Sequence, residues 1–378
     1  MISLARKTLI HEWRRFVPVC ISVGFSGVLL MIQTALVLGI FGSAAVYINA
    51  SSADIWVGYP GTQSVNFGRL LGPDVKTRLQ MDPDITEVES YQWLDGDWYS
   101  PNANSGSVSI YLSGISTRPD AMMFSRILPN KLREKLREPG AVIVDPADLS
   151  TLGTQLGGIA WINRQPVHIV GVLKGLRGLG GVNILSSRES ALSIAGLKGE
   201  EGSTYYLARL RQPEKLNASL MLLSQHDKRF GPYEAWSSDD FASRSQRYWL
   251  MDTGAGVAVL FMACLVCLVG AVITSQSLKA VITSYSREYA TLNAMGASRL
   301  ALAKVVVEQS CWIGSAGLIF SAVISVLLLG VAKYYQVPVE INPFAMLSCC
   351  LLVAFMVLIS SLSVVRSQLR IDPSLLLR

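Results

Sequence analysis

The chain has 378 residues, of which 51% are hydrophobic and only 16% are charged. Soluble domains usually carry about 25% charged residues, so this composition argues against an ordinary soluble protein and favours a membrane protein. The net charge of +6 does not indicate nucleic-acid binding, because no stripe of basic and aromatic residues runs through the polar, central part of the chain.

Four long stretches of the chain are apolar and free of charged residues. They lie between Arg15 and Asp54, Asp252 and Lys279, Glu308 and Lys333, and Glu340 and Arg366. A helix needs about 20 apolar residues to cross the hydrocarbon core of a bilayer, and each stretch exceeds that length. The sequence therefore predicts four transmembrane helices, at residues 16–47, 250–277, 304–332 and 344–366.

Residues 48–249, between the first two predicted helices, predict a large water-soluble domain of the α+β class. The sequence predicts strands at 53–57, 85–91, 141–144, 159–162, 167–172 and 205–210, and another at 108–114, where the residues alternate. Helices are predicted at 72–81, with Pro73 in the first turn, and at 213–225. We expect a strand-rich subdomain over about 115–200. The glycine-rich stretch 175–181 lacks the Gly-Lys-Ser/Thr ending of a phosphate-binding loop and predicts a flexible loop.

Positive charge is concentrated in the segments that would share one side of a four-helix topology. Residues 1–15, 276–304 and 366–378 carry net charges of +3, +3 and +2. By the positive-inside rule that side is the cytoplasm, so both termini are predicted inside and the large domain outside. The remaining segments are then a cytoplasmic interfacial segment (1–15), a cytoplasmic connection (278–303), a short outer loop (333–343) and a cytoplasmic tail (367–378).

The first apolar stretch is longer than a bilayer core requires. We expect it to project outward as a stalk, and we expect the second helix to extend outward through residues 241–249. Its length also exceeds the 7–15 apolar residues of a typical signal peptide, which favours an uncleaved helix. Tilt of the helices is the alternative explanation for the extra length.

Residues that commonly carry catalytic or metal chemistry are sparse. The histidines are His11, His168 and His226, and their spacing fits no metal site. The six cysteines lie in or at the predicted helices, so the polar domain has no disulfide framework. The C-x-x-C pair inside the second helix is interpreted as buried thiols. No nucleotide-binding or hydrolase motif is present, and Glu308 is the one carboxylate near the interior of a predicted helix, which argues against a secondary transporter.

Three segments carry a family resemblance. Residues 286–298, SREYATLNAMGAS, resemble the signature of the MacB/FtsX/LolC superfamily of ABC permeases (type VII), in which an Arg-Glu pair opens a short cytoplasmic helix. The ending RIDPSLLLR at 370–378 resembles the C-terminal Asp-Pro…Leu-Arg pattern of that family, and residues 140–172 are similar to its strand-rich periplasmic part. The helix layout also matches. Residues 55–58 and 67–68 favour the DevC-like exporter branch.

The resemblance implies a non-catalytic permease subunit that forms a homodimer and binds a separate ABC ATPase subunit. ATP and Mg²⁺ would bind that partner, and this chain would hold no cofactor. Motion of the ATPase would reach the periplasmic domain by mechanotransmission. The ATPase-coupling residues implied are Arg287, Glu288, Tyr289, Ala290, Thr291, Leu292, Met295 and Gly296.

The DevC-like branch implies a bacterial inner-membrane exporter of a glycolipid or another amphiphile, working with a periplasmic adaptor and a TolC-like outer-membrane channel. One alternative is an FtsX-like regulator of a periplasmic cell-wall hydrolase. Others are a lipoprotein-releasing permease and a membrane-anchored sensor or enzyme, the last disfavoured by the missing catalytic motifs.

Small residues suggest where two copies would meet. Gly24 and Gly27 in the first helix, and Gly254 and Gly256 at the start of the second, would allow close helix approach in a dimer. The alternative is that glycine is simply common in membrane helices.

Overall fold

The computed structural model describes residues 11, 13–101, 106–197, 202–225, 229–284, 299–335 and 337–368. The chain divides into two compact units, which we call the helical unit (Met1–Gly39 and Gly256–Arg378) and the sheet unit (Ile40–Ala255). The helices are α1 (Trp13–Gly42), α2 (Val46–Asn49), α3 (Pro73–Gln80), α4 (Asn130–Lys135), α5 (Arg188–Ala195), α6 (Leu216–Ser224), α7 (Ser238–Arg247), α8 (Ala255–Ser284), α9 (Arg299–Tyr334) and α10 (Pro343–Gln368).

The strands all belong to the sheet unit. They are β1 (Ile55–Gly58), β2 (Ile85–Tyr99), β3 (Val108–Ile115), β4 (Ala141–Val144), β5 (Ile159–Ile162), β6 (Gln165–Val172), β7 (Val182–Ser187), β8 (Tyr205–Leu210) and β9 (Glu234–Ser237). The predicted sheet-rich domain is therefore confirmed.

Within the described residues, four stretches of helix are long and apolar enough to cross a membrane, which confirms the four apolar helices predicted. They are Phe16–Asn49, Ala255–Ser277, Val307–Tyr334 and Pro343–Leu362. Their mutual packing forms the core of the helical unit, where Val19 and Val23 of α1 meet Ile313 of α9 and Val353 of α10.

The end of the first apolar stretch has a different role from that of its beginning. Tyr47 and Ile48 are buried in the core of the sheet unit. There the centroids of the Tyr47 and Trp93 rings are 4.9 Å apart. Apolar residues serve a protein core and a membrane equally well, so composition alone places no boundary between the two.

Six strands of the sheet unit close into a ring. Their order is β2-β3-β7-β4-β6-β5, and β5 pairs again with β2. Alternate residues from all six strands meet in one buried cluster, which makes the ring a small barrel with a packed interior. The cluster includes Trp98, Ile110, Leu112, Val142, Val144, Ala160, Ile162, Val167, Ile169, Val182 and Ile184.

A four-stranded antiparallel sheet adjoins the barrel through β2. The first half of β2 pairs with β8 and the second half pairs with β3, so one 15-residue strand belongs to both parts. The sheet order continues from β8 to β1 and β9. Ile55 and Val57 face a core completed by α3 and α6. Trp56 faces a cluster of buried rings beside α7, which we call the aromatic core and which includes Tyr205, Trp236 and Phe241. Both faces of this sheet are covered.

The helix boundaries before α8 differ from the prediction. We expected the second apolar helix to extend outward through residues 241–249. Instead α7 ends at Arg247, a π-helical turn spans Tyr248–Asp252, and α8 begins at Ala255. Gly254, between them, has a φ of +74°, which an α-helix cannot accommodate and which glycine adopts without steric cost. The two helices are therefore separate.

Candidate functional site

The predicted ATPase-coupling residues, Arg287, Glu288, Tyr289, Ala290, Thr291, Leu292, Met295 and Gly296, lie outside the described residues. The helices that flank this segment are described: α8 ends at Ser284 and α9 begins at Arg299. The coupling role of these residues stays a prediction.

Gly24 and Gly27 lie where α1 crosses α9 of the same chain. A Cβ atom at Gly24 would collide with the Phe320 side chain, and one at Gly27 would lie 2.5 Å from Ser321 Oγ. Both glycines thus allow close helix packing within one chain. Gly256 lies in the first turn of α8, beyond the Gly254 turn. A contact between two copies at these four glycines stays a prediction.

Polar groups of α1 bond to the other apolar helices. Gln33 Nε2 donates to the carbonyl of Val259 in α8 at 3.1 Å. The backbone N–H of Glu340, just before α10, donates to the carbonyl of Ala35 at 3.1 Å, and Thr34 Oγ1 lies 3.3 Å from Cys349 Sγ. Hydrogen bonds between apolar helices contribute about 0.6 kcal/mol on average, so these contacts orient α1 against its neighbours.

A chain of hydrogen bonds joins the two ends of the sheet unit. Trp249 Nε1 donates to Ser64 Oγ at 3.2 Å, Ser64 and Ser245 share a bond of 2.8 Å, and Ser245 Oγ donates to the carbonyl of Ala44 at 2.9 Å. Ala44 follows α1, and Trp249 precedes α8. We call these four residues the serine relay. It holds together the two places where the chain enters and leaves the sheet unit.

The serine relay adjoins the aromatic core. Phe241 of α7 stacks on Trp236 with ring centroids 4.7 Å apart and contacts Trp56 at 5.6 Å. Tyr205 Oη donates to the carbonyl of Val65 at 2.9 Å, and burial raises the pKa of this phenol well above its usual value. Close-packed rings resist deformation, so α7 is held firmly against the sheet.

A buried ionisable pair that the sequence pattern does not predict fixes the segment before α4. Glu89 on β2 accepts hydrogen bonds from the backbone N–H groups of Met122 and Met123, and Arg133 donates to the Met123 carbonyl at 2.7 Å. Burial raises the pKa of Glu89 and lowers that of Arg133, and each charge partly offsets the shift of the other.

The glycine-rich loop predicted to be flexible is tied down at its start. Asp145 Oδ2 accepts from the backbone N–H groups of Gly175 at 2.9 Å and of Leu176 at 3.1 Å, and Arg177 pairs with Asp148 at 3.0 Å. Protein carboxylates therefore occupy the backbone donors that a phosphate-binding loop would offer to its ligand.

Metal chemistry finds no support in the described parts of the chain. No group of three or more His, Cys, Asp or Glu side chains there could hold a metal ion. His168 pairs with Glu138 at 3.3 Å on the surface, His11 is exposed, and His226 lies outside the described residues.

Comparison with known proteins identifies the C-terminal part of the chain. Residues 260–373 match the family described as FtsX-like permease C-terminal. A search of curated proteins gives no match.

Three solved structures resemble the chain at low identity. The periplasmic region of MacB from Actinobacillus actinomycetemcomitans is 15% identical over 52% of this chain and 94% of its own, with a TM-score of 0.35. The extracellular domain of the transporter YknZ from Gram-positive bacteria is 16% identical over 48% and 98%, with a TM-score of 0.33. A domain of a putative permease from Porphyromonas gingivalis is 13% identical over 49% and 87%, with a TM-score of 0.28.

The DevC-like branch stays a prediction, because the family match does not distinguish between branches. Residues 260–373 thus resemble the C-terminal part of FtsX-like permeases, and the described residues contain four apolar helices.

Proposed function

We propose that this chain is the membrane subunit of an ATP-driven exporter in the bacterial inner membrane. The four apolar helices would cross the membrane, the termini would face the cytoplasm, and the sheet unit would lie in the periplasm. The observation that carries this proposal is the FtsX-like match over residues 260–373. The positive charge of the predicted cytoplasmic segments supports the orientation.

In this proposal two copies of the chain form a homodimer, and a separate ABC ATPase binds each copy at the segment between α8 and α9. ATP and Mg²⁺ would bind the ATPase subunits only. Arg287 and Glu288 would open the coupling helix that docks on the ATPase. Long helices are stiff along their axes, so displacement of this segment would move α8 as a rod, and α1 would follow because Gln33 of α1 bonds to Val259 of α8.

The serine relay supports transmission of this motion into the sheet unit. It bonds the residues after α1 to those before α8, so that the two connections move as one piece. The aromatic core then joins α7 to β1 and β8. Transmission of this kind requires no path for cargo between the helices, consistent with the lack of charge in their apolar stretches.

The cargo we propose is a glycolipid or another amphiphile, collected outside the inner membrane and passed to a periplasmic adaptor and a TolC-like channel. The DevC-like resemblance of residues 55–58 and 67–68 supports this choice. Copurified partners distinguish it from the other members of the superfamily. A cell-wall hydrolase would indicate the FtsX-like regulator, and a lipoprotein carrier would indicate the lipoprotein-releasing permease.

The test is the ATPase activity of the full chain copurified with its candidate ATPase subunit. We expect Arg287→Ala/Glu288→Ala to lose either assembly or stimulated turnover. Lys279→Ala, an exposed cation in α8 near the same segment, is the matched control and should behave as wild type. A folded double variant with wild-type assembly and turnover would contradict the coupling assignment and favour a membrane-anchored sensor.

A further inference from the structure

An aromatic cluster lies on the surface of the sheet unit just before α8 begins. Phe67 stacks on Trp249 with ring centroids 6.0 Å apart and meets Tyr248 edge-on at 5.3 Å. Trp249 also donates to Ser64 in the serine relay. The loop 59–71 is therefore fastened to the π-helical turn at 248–252 by ring stacking and by a hydrogen bond.

Large apolar side chains of this cluster remain open to solvent in the sheet unit. Phe67 is 45% exposed, Leu70 in the same loop is 47% exposed, and Met251 in the π-helical turn is 60% exposed. Single exposed apolar residues are ordinary on protein surfaces. Here Phe67 is in ring contact with Trp249, and Leu70 and Met251 lie within three residues of these rings along the chain, so several exposed apolar side chains are concentrated in one region.

The chain itself limits how far this surface can lie from the first residue of α8. Met251 precedes Ala255 by four residues, and an extended chain spans at most about 3.5 Å per residue, or about 14 Å in all. The polar interface on each side of a bilayer is roughly 5–8 Å thick. If α8 crosses the membrane from Ala255, Met251 is within reach of the headgroup layer.

The residue types suit that layer. Tyr and Trp are enriched at membrane interfaces because their rings are apolar and carry a polar atom. The Arg69 guanidinium lies 5.4 Å from the centre of the Tyr59 ring, and Arg247 is exposed beside Tyr248. Both cations would meet lipid phosphates. Asp252 is an exposed acid in the same turn, and it is outnumbered by the two arginines.

We propose that Phe67, Leu70, Trp249 and Met251 form a lipid-binding surface that inserts into the headgroup region of the outer leaflet. The occupant is the phospholipid bilayer, and the arginines at 69 and 247 contact its phosphates. This inference rests on the membrane placement proposed above. The sheet unit would then be attached to the membrane at three places: its connections to α1 and to α8, and this lipid-binding surface.

The experiment is photo-crosslinking of the full chain in vesicles of phosphatidylethanolamine and phosphatidylglycerol. The photoreactive residue p-benzoylphenylalanine replaces Phe67, Leu70 or Met251, one at a time, and lipid adducts are detected by mass spectrometry. Phe261 in α8 is 64% exposed and Met221 in α6 is 71% exposed. Phe261 tests membrane placement, and Met221 is the exposed apolar control elsewhere in the sheet unit.

We expect lipid adducts at Phe67, Leu70 and Met251 in yields close to that at Phe261. At Met221 we expect no lipid adduct above background. If Phe261 forms lipid adducts but the three test positions give no higher adduct yield than Met221, the inference is overturned and the proposed function still stands. Absence of lipid adducts at Phe261 would overturn both. Crosslinks from the test positions to a second copy of the chain, instead of lipid, would also overturn the lipid-binding surface.

Discussion

Glu89 is a carboxylate with little access to water and with specific backbone partners. Its side chain accepts from two successive N–H groups, those of Met122 and Met123, while Arg133 holds the Met123 carbonyl from the other side. The segment between β3 and α4 is thus held by two buried ionisable side chains rather than by a strand. Removing one member of such a group leaves buried polar groups without hydrogen-bond partners, which costs about 1–3 kcal/mol for each group.

The first prediction concerns the pH dependence of stability. Burial raises the folded-state pKa of Glu89 above its ordinary value of 4.5. A raised carboxyl pKa means that the folded state binds the proton more tightly than the unfolded state does. The stabilisation from this proton is complete below the ordinary pKa and is lost as pH rises through the raised one. Glu89→Gln keeps a neutral side chain at every pH and lacks this loss.

We therefore expect wild type to lose stability relative to Glu89→Gln as pH rises from 4 towards 7. The measurement is the thermal midpoint of the full chain in detergent, followed by tryptophan fluorescence. Glu138→Gln is the control, since Glu138 is an exposed carboxylate whose partner is His168. A gap between wild type and Glu89→Gln that does not change with pH would refute the assignment.

This pair could not be predicted from the sequence. Arg133 lies in the polar stretch Asn130–Lys135, where its neighbours are Leu132 and Glu134, and nothing in that pattern distinguishes a buried guanidinium from an exposed one. Glu89 lies on a predicted strand among polar residues. Their proximity is created by the packing of β2 against the segment before α4, which is a tertiary property.

At the scale of helices and strands, short strands made almost entirely of apolar residues were predicted best. The strands at 141–144, 159–162 and 205–210 were predicted with their observed bounds. β7 was missed, because Val182–Ser187 is buried at every position but includes Asn183, Ser186 and Ser187, so it shows neither alternation nor a continuous apolar run. The strand predicted at 85–91 continues to Tyr99, since its second half pairs with β3 and β5.

The second prediction concerns the crossing of α1 and α9. Gly27→Leu should place a branched side chain against Ser321 and Val353 and force the helices apart. Overpacking of this kind costs about 1–3 kcal/mol, so the thermal midpoint of the purified chain in detergent should fall. Gly330→Leu is the matched control, because a Cβ atom at Gly330 meets no atom within 4 Å. Equal midpoints for the two variants would contradict the close crossing.

For the whole molecule, the order of elements was predictable and the architecture of the sheet unit was not. Hydropathy alone located four apolar helices and the polar region between the first two. Closure of six strands into a barrel depends on pairings between strands that are distant in sequence, such as β3 with β7 and β4 with β6. Local periodicity carries no information on such partners.

The third prediction concerns orientation in the membrane. Cysteine substituted for Leu156, 59% exposed in the sheet unit, should react with a membrane-impermeant maleimide in intact spheroplasts. Cysteine substituted for exposed His11 should react only after permeabilisation. The physical reason is the net positive charge of the segments at 1–15, 276–304 and 366–378, which are retained in the cytoplasm.

The unsubstituted chain provides the background for this labelling. Its six cysteines, Cys20, Cys264, Cys267, Cys311, Cys349 and Cys350, lie in the apolar helices. Thiols in a lipid environment form little of the reactive thiolate, so their labelling should be weak. If the His11 variant is labelled in intact spheroplasts and the Leu156 variant is protected, the topology is the reverse of the one proposed. The coupling segment would then face away from any cytoplasmic ATPase, and the exporter proposal would fail with it.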